Sequence, residues 1–203
     1  MRGYYFITDT ALSAAGLKSD VEKTVASSVS IIQYRNKQAA TRTLYEEALS
    51  IKNLCMGTST RLIINDRIDI ALAVDAHGVH IGQEDMPYHV ARSLLGRDKI
   101  IGVTVHTLEE AIAAQGMGAD YLGVSPIFTT ATKLDAGKPC GVEGLKAIRQ
   151  ACGIPIVAIG GIDLSTIGLV IEAGADMACA ISAVVTRTDV RAEILRFQKE
   201  FGL

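Results

Sequence analysis

Gln33, Arg35 and Lys37 stand at alternate positions in SIIQYRNK, so in an extended strand end all three side chains project to the same side. Two cations set side by side repel each other unless an anion lies between them, which makes a phosphate or diphosphate their natural guest. Further on, RLIIND breaks off at Asn65 and Asp66, and GVHIGQED ends at Asp85. Carboxylates at the tips of neighbouring strands can share a hard cation, and Mg2+ takes one or two carboxylates with water and substrate phosphates rather than a full protein cage. Each part also has a plainer reading: a solvated charged loop for the cations, a helix cap for Asp66. A diphosphate held by Arg35 and Lys37, beside Mg2+ on Asp66 and Asp85, accounts for all four charges together. Glu84 is the weaker ligand candidate, since its side chain should point opposite to that of Asp85.

A second anion site of a different kind is suggested downstream. IPIVAIGGID places Gly160 and Gly161 where backbone must come close to something, and MACAISAV puts Ile181 and Ser182 at the next strand end. Main-chain N–H groups and a short helix start at two such tips form a common phosphate cradle. Between the two sites in sequence runs the long irregular stretch 126–141, whose Thr130, Thr132 and Lys133 could reach either. One charged, metal-assisted anion site and one built of backbone would suit an enzyme that joins two phosphorylated molecules.

The elements that must carry these residues follow from the hydrophobic pattern. Short runs rich in Ile, Val, Tyr and Phe alternate with segments of helical spacing along all 203 residues, the pattern of a parallel sheet. About eight such units in this length fit a closed (β/α)8 TIM barrel, read as one domain over residues 1–203. Every strand of such a barrel points the same way, so the polar tips should gather on one rim. Among the helices, Thr41 precedes a segment with Leu44, Ala48, Ile51 and Leu54 or Cys55 on one face, and Thr107 with Glu110 suggests a capping box closed by Gly116 or Gly118. Asp163 should cap LSTIGLVIEAG, and the last helix should turn Ile194, Leu195 and Phe197 inward.

Composition limits the alternatives. Hydrophobic residues make up 49% of the chain but aromatics only 5%, so the core must rest on Ile, Val, Leu and Ala, as in a sheet buried on both faces. A net charge of -2 gives no global pull toward nucleic acid or an anionic membrane. Cys55, Cys140, Cys152 and Cys179 lack metal-site spacing and are expected to be free thiols. The apolar run in MRGYYFITD is too short for a secretory signal and nothing later approaches a membrane span, so a cytoplasmic chain is expected.

In order, YYFITD, QYRNK, LIINDRIDIAL, GVHIGQED, GVTVHTLEEA, ADYLGVSPIFTTATK, IPIVAIGGI and GAD followed by AISAV resemble the thiamine phosphate synthase family over essentially the whole chain. The resemblance implies a (β/α)8 enzyme that joins 4-amino-5-hydroxymethyl-2-methylpyrimidine diphosphate to 4-methyl-5-(2-phosphoethyl)thiazole. It implies that Gln33, Arg35, Lys37 and Asn65 hold the pyrimidine diphosphate, with His80 near the pyrimidine, Thr104 and Lys133 near the diphosphate, and Mg2+ on Asp66 and Asp85. Thr130, Thr132, Gly161, Ile181 and Ser182 would take the thiazole phosphate. The implied chemistry is dissociative: diphosphate departs, and the thiazole nitrogen traps the pyrimidine methyl cation. Thr104 stands where the family usually has Ser, Ser125 where it has Gly, and Thr129 and Ala131 where it has prolines. A thiazole tautomerase using His106, or a non-catalytic ligand-binding barrel, are the rival readings. The intact set Arg35, Lys37, Asp66, Asp85 and Lys133 speaks against both, while the sequence leaves a homo-oligomer open.

Overall fold

The computed structural model describes residues 1–130 and 137–203. Strands β1 (Gly3–Ile7), β2 (Ile31–Tyr34), β3 (Arg61–Asn65), β4 (Gly78–Ile81), β5 (Ile100–Val105), β6 (Tyr121–Val124), β7 (Ile156–Ile159) and β8 (Met177–Cys179) close into one parallel barrel in sequence order. Closure is made where Gly3 and Tyr4 of β1 register with Met177 and Ala178 of β8. The expected (β/α)8 TIM barrel is therefore the architecture found. Between the strands lie α1 (Leu17–Val25), α2 (Thr41–Cys55), α3 (Ile68–Ala73), α4 (Tyr88–Leu95), α5 (Leu108–Met117), α6 (Gly141–Ala151) and α7 (Ile167–Glu172), and α8 (Ile181–Val185) and α9 (Val190–Glu200) follow β8. Among the described residues no helix is long and apolar enough to cross a membrane.

The strands read as unbroken apolar runs because both of their faces are covered. One set of side chains, including Tyr4, Phe6, Ile32, Leu62, Ile64, Val79 and Leu122, packs outward against the helices. The alternate set, including Tyr5, Ile7, Ile31, Ile63, Tyr121, Val157, Met177 and Cys179, fills the barrel. Gln33, His80 and Thr104 share the inward phase, so the barrel is apolar at its base and polar toward the rim. Glycines make that filling fit: a Cβ on Gly102 would lie 2.0 Å from Tyr121 Cζ, and one on Gly123 would lie 2.8 Å from His80 Cε1.

Several local expectations are refined. In α2 the buried stripe is Leu44, Ala48, Ile51 and Cys55, so Cys55 and not Leu54 completes it. Thr41 begins that helix without capping it, and its Oγ1 accepts from Arg67 Nη2 at 3.2 Å. Thr107 does cap α5, accepting from Glu110 N, while the Glu110 carboxylate reaches back to the N–H of His106 and Gly118 closes the helix in the left-handed region. Asp163 Oδ1 accepts from the N–H groups of Ser165 and Thr166 at 2.8 and 3.1 Å, capping the turn that leads into α7. In α9, Ile194 and Phe197 are buried but Leu195 is 46% exposed, correcting its inward placement. Successive helical residues are about 100° apart, which sets position 195 nearly opposite 197.

Two glycine substitutions should move stability in opposite directions. Gly102→Ala drives a methyl into a ring that cannot retreat, because Tyr121 is wholly buried and hydrogen-bonded, and should lower stability by about 1–3 kcal/mol or more. Gly116→Ala, in the open on α5, should raise it by about 0.5–1 kcal/mol. Thermal unfolding followed by circular dichroism would check both, with Tm falling roughly 3–10 °C in the first case and rising roughly 1–3 °C in the second.

Candidate functional site

The strand tips open into one cavity of about 630 Å³, lined by Gln33, Arg35, Lys37, Asn65, Asp66, His80, Asp85, Thr104, Thr130, Gly161, Ile181 and Ser182 among others. All the candidate site residues within the described stretches thus meet in one basin. Thr132 and Lys133 lie outside the described residues.

The charged wall is held by short local bonds. Thr8, buried at the end of β1, clamps the backbone of Arg35 from both sides: its Oγ1 accepts from Arg35 N at 2.9 Å and donates to Arg35 O at 3.2 Å. Lys37 Nζ lies 3.6 Å from Asp66 Oδ2. Asp66 takes the left-handed conformation, with φ 58°, and its N–H donates to the carbonyl of His80 at 2.8 Å. Asp and Asn tolerate that conformation better than most residues. Asp66 does not cap α3, whose start has no side-chain cap, so the plainer reading of this residue is set aside. Asp85 Oδ2 accepts from Gly82 N at 2.7 Å, which fixes its carboxylate beside the β4 tip.

Asp66 and Asp85 are set against each other. Burial, and after it the facing Asp85 carboxylate, raise the Asp66 carboxyl from an ordinary 3.8 to about 6, with Lys37 working in the opposite direction. Two oxygen ligands whose charges repel, with one lysine to balance them, are a fit for a hard divalent cation that completes its shell with water and phosphate oxygens. Among the described residues no group of three or more His, Cys, Asp or Glu could hold a metal ion.

Behind the charged wall runs a buried polar chain. Gln33 Nε2 donates to the Tyr5 hydroxyl at 2.8 Å, Tyr5 and Tyr121 share a hydrogen bond at 2.7 Å, Tyr121 meets His80 Nδ1 at 2.9 Å, and His80 Nε2 meets Thr104 Oγ1 at 2.8 Å. His80 also stacks on Tyr121, ring centroids 5.4 Å apart.

The opposite wall is made of backbone. Gly160 and Gly161 have φ of 102° and 65°, and a Cβ on Gly161 would fall 2.5 Å from Thr129 O. Segment 126–128 runs alongside, with Ile127 N donating to Ile159 O at 2.9 Å and Phe128 N to Gly160 O at 3.0 Å. Ile181 and Ser182 open α8, and the first N–H groups of a helix have no partner within it.

Tyr5, Tyr121, Asp163 and Arg187 also belong to the site or its support, and sequence reasoning did not assign them to it. The tyrosines sit in strands apolar on both faces, where alternation alone does not tell inside from outside. Arg187 follows α8, a helix too short to show a period. His106 is held elsewhere: its Nδ1 donates to the carbonyl of Ser125 and it does not line the cavity.

The family model described as thiamine monophosphate synthase matches residues 4–184. A protein of Methanosarcina barkeri named thiamine-phosphate synthase is 50% identical over 194 residues, covering 96% of this chain and 88% of its own. One of the same name from Chloroflexus aurantiacus is 50% identical over 189 residues, covering 93% and 87%. The solved thiamine phosphate pyrophosphorylase of Pyrococcus furiosus superposes with a TM-score of 0.90 at 38% identity, covering 98% of this chain and 95% of that one.

The raised Asp66 carboxyl has a consequence for stability. The unfolded chain releases this proton near 3.8 and the folded chain near 6, so stability falls as pH rises through that window and stays lowered above it. Asp66→Asn keeps a residue suited to the left-handed backbone and removes the charge. In chelator at pH 7.5 it should be more stable than the wild type by roughly 1–3 kcal/mol, seen as a Tm higher by about 2–6 °C. The gap should close near pH 4; an equal gap at both pH values would contradict the electrostatic cause.

Proposed function

The chain belongs to the thiamine monophosphate synthase family, and from that membership we propose that it joins an aminopyrimidine methyl diphosphate to a thiazole carrying a phosphoethyl arm, releasing diphosphate. The observation that carries this reading is the meeting of Arg35, Lys37, Asp66 and Asp85 in one cavity with a backbone-lined wall at Gly161, Ile181 and Ser182. These are two anion sites facing one space, as a reaction between two phosphorylated substrates requires.

Arg35 and Lys37 hold the diphosphate of the first substrate, with Thr104 near it, and Asn65, Gln33 and His80 surround its ring. Asp66 and Asp85 hold Mg2+, which supplies positive charge for the departing diphosphate. Thr130 and Thr132, with the N–H groups of Gly161, Ile181 and Ser182, take the phosphate of the second substrate, and Lys133 reaches the diphosphate. The bond between the methylene carbon and the diphosphate oxygen breaks first, and its electron pair leaves with the diphosphate. The ring's amino group stabilises the cation left behind, and the thiazole nitrogen lone pair then forms the new carbon–nitrogen bond. No side chain need take a proton at the reacting carbon. The residues act by placing positive charge where negative charge develops.

A steady-state assay with both substrates tests the reading. Thiamine phosphate and diphosphate should form together and only with a divalent cation, and Asp85→Asn should lower kcat by about 10²–10³. Interconversion of thiazole isomers without any thiamine phosphate would instead favour the tautomerase.

A further inference from the structure

We propose that Tyr5 and Tyr121 are positioning residues: through them Gln33, His80 and Thr104 form a one-way chain of hydrogen-bond donation that holds His80 as the neutral Nε2–H tautomer. The same chain presents an acceptor at Gln33 and a donor at Thr104 to the cavity.

The direction is set by the Gln33 amide, whose Nε2 faces Tyr5, and follows from there by counting hydrogens. A phenol has one hydrogen to give and lone pairs to receive, and an amide nitrogen only gives. Gln33 Nε2 gives to the Tyr5 oxygen. Tyr5 must then place its own hydrogen, and the acceptor within reach among the described residues is the Tyr121 oxygen at 2.7 Å. If Tyr121 donated to Tyr5 instead, the Tyr5 hydrogen would be left without an acceptor in a wholly buried core. Tyr121, having received, gives its hydrogen to His80 Nδ1 at 2.9 Å. Nδ1 is therefore the bare nitrogen, and the ring hydrogen on Nε2 goes to Thr104 Oγ1 at 2.8 Å. Thr104 keeps its own hydroxyl hydrogen for the cavity that it lines, and Gln33, with Nε2 turned back to Tyr5, offers that cavity its carbonyl oxygen.

Two independent features support a built device. Burial raises both phenols above their ordinary value, so each keeps the proton that the chain needs. The neighbouring strands β5 and β6 both carry glycine at the point of contact, Gly102 against the Tyr121 ring and Gly123 against His80. No side chain larger than glycine fits there without displacing a member of the chain.

The ligand side of this inference rests on the proposed function: a ring that gives a hydrogen to Gln33, such as an exocyclic amine, and an anionic oxygen near Thr104 both match the direction of donation. The tautomer does not rest on it. In protein labelled with 15N-histidine, two-bond nitrogen–proton correlation should show His80, identified by its loss in His80→Asn, with a bare Nδ1 and a protonated Nε2. A protonated Nδ1, or an average of both tautomers, would overturn the proposal whatever the activity. Tyr121→Phe should lose the single-tautomer pattern and raise KM for the aminopyrimidine diphosphate about tenfold or more, with KM for the thiazole phosphate unchanged. A pure Nε2–H pattern and unaltered KM in that variant would also overturn it. Should Tyr121→Phe fail to fold, Tyr5→Phe tests the chain from its other end: Tyr121 still gives its hydrogen to His80 Nδ1, so the Nε2–H pattern should persist, while Gln33 loses its anchor and KM for the aminopyrimidine diphosphate should rise; an unaltered KM would overturn the proposal. A pure Nε2–H pattern in a wild-type protein that makes no thiamine phosphate would support the chain and count against the proposed function alone.

Discussion

Parallel closure is the constraint on which the rest depends. Because β1 pairs with both β2 and β8, and every pairing is parallel, all strand tips emerge on one rim. Residues as distant in sequence as Gln33, Asp85, Gly161 and Ser182 then line one cavity without any long-range polar contact being needed to gather them. The hydrogen-bond ladder and the two apolar layers do that work, and the tips are left free to carry charge and strained backbone. Thr8 shows how little extra is required: one hydroxyl at the end of β1 fixes the backbone of Arg35 on the neighbouring strand.

The cavity divides its electrostatics by strand. On the β2 to β4 side, side chains carry the charge, and two carboxylates are kept close enough to disturb each other. On the β7 and β8 side the wall is mainly glycine and helix-start backbone, with Asp163 and Arg187 at its border, and its N–H groups can meet an anion directly. That asymmetry suits a pair of anionic ligands with different fates. A departing diphosphate needs strong compensation as its charge grows, whereas a phosphate that only anchors its substrate needs placement.

Much of this was legible in the sequence because strand tips advertise themselves: RLIIND and GVHIGQED change from apolar to acidic within a residue or two, and Gly160–Gly161 interrupts a run of aliphatics. The helix errors have a geometric cause. Leu195 adjoins Ile194 in sequence but lies well around the helix from it and nearly opposite Phe197, so a cluster of apolar letters misled where the period did not. The larger omission was Tyr5 and Tyr121. In strands buried on both faces, alternation carries no contrast, and a tyrosine reads the same inside the barrel or outside it. Gln33 and His80 held the missing information. A polar side chain in mid-strand marks the inward phase, and counting by two from Gln33 to Ile31, then across the ladder to Tyr5, leads into the barrel.

The interior of the barrel is thus a support for the rim and not merely its core. An apolar filling would have sufficed for stability, and Val157, Met177 and Ile63 supply it at the base. Higher up, aromatic rings and a histidine occupy space that glycines on two strands leave open, joined by hydrogen bonds that run across the barrel from β2 to β5. Buried polar chains are stable only when every member has its partner, and this makes them rigid in a way that apolar contacts are not. Gln33 and Thr104, on opposite sides of the cavity floor, consequently hold their places through each other. The acidic pair above them is under the reverse condition: Asp66 and Asp85 repel, and their geometry persists because backbone bonds to His80 and Gly82 hold the two tips. A satisfied floor thus lies beneath a mutually repelling pair of carboxylates, whose charges a cation would offset with little rearrangement of either side chain.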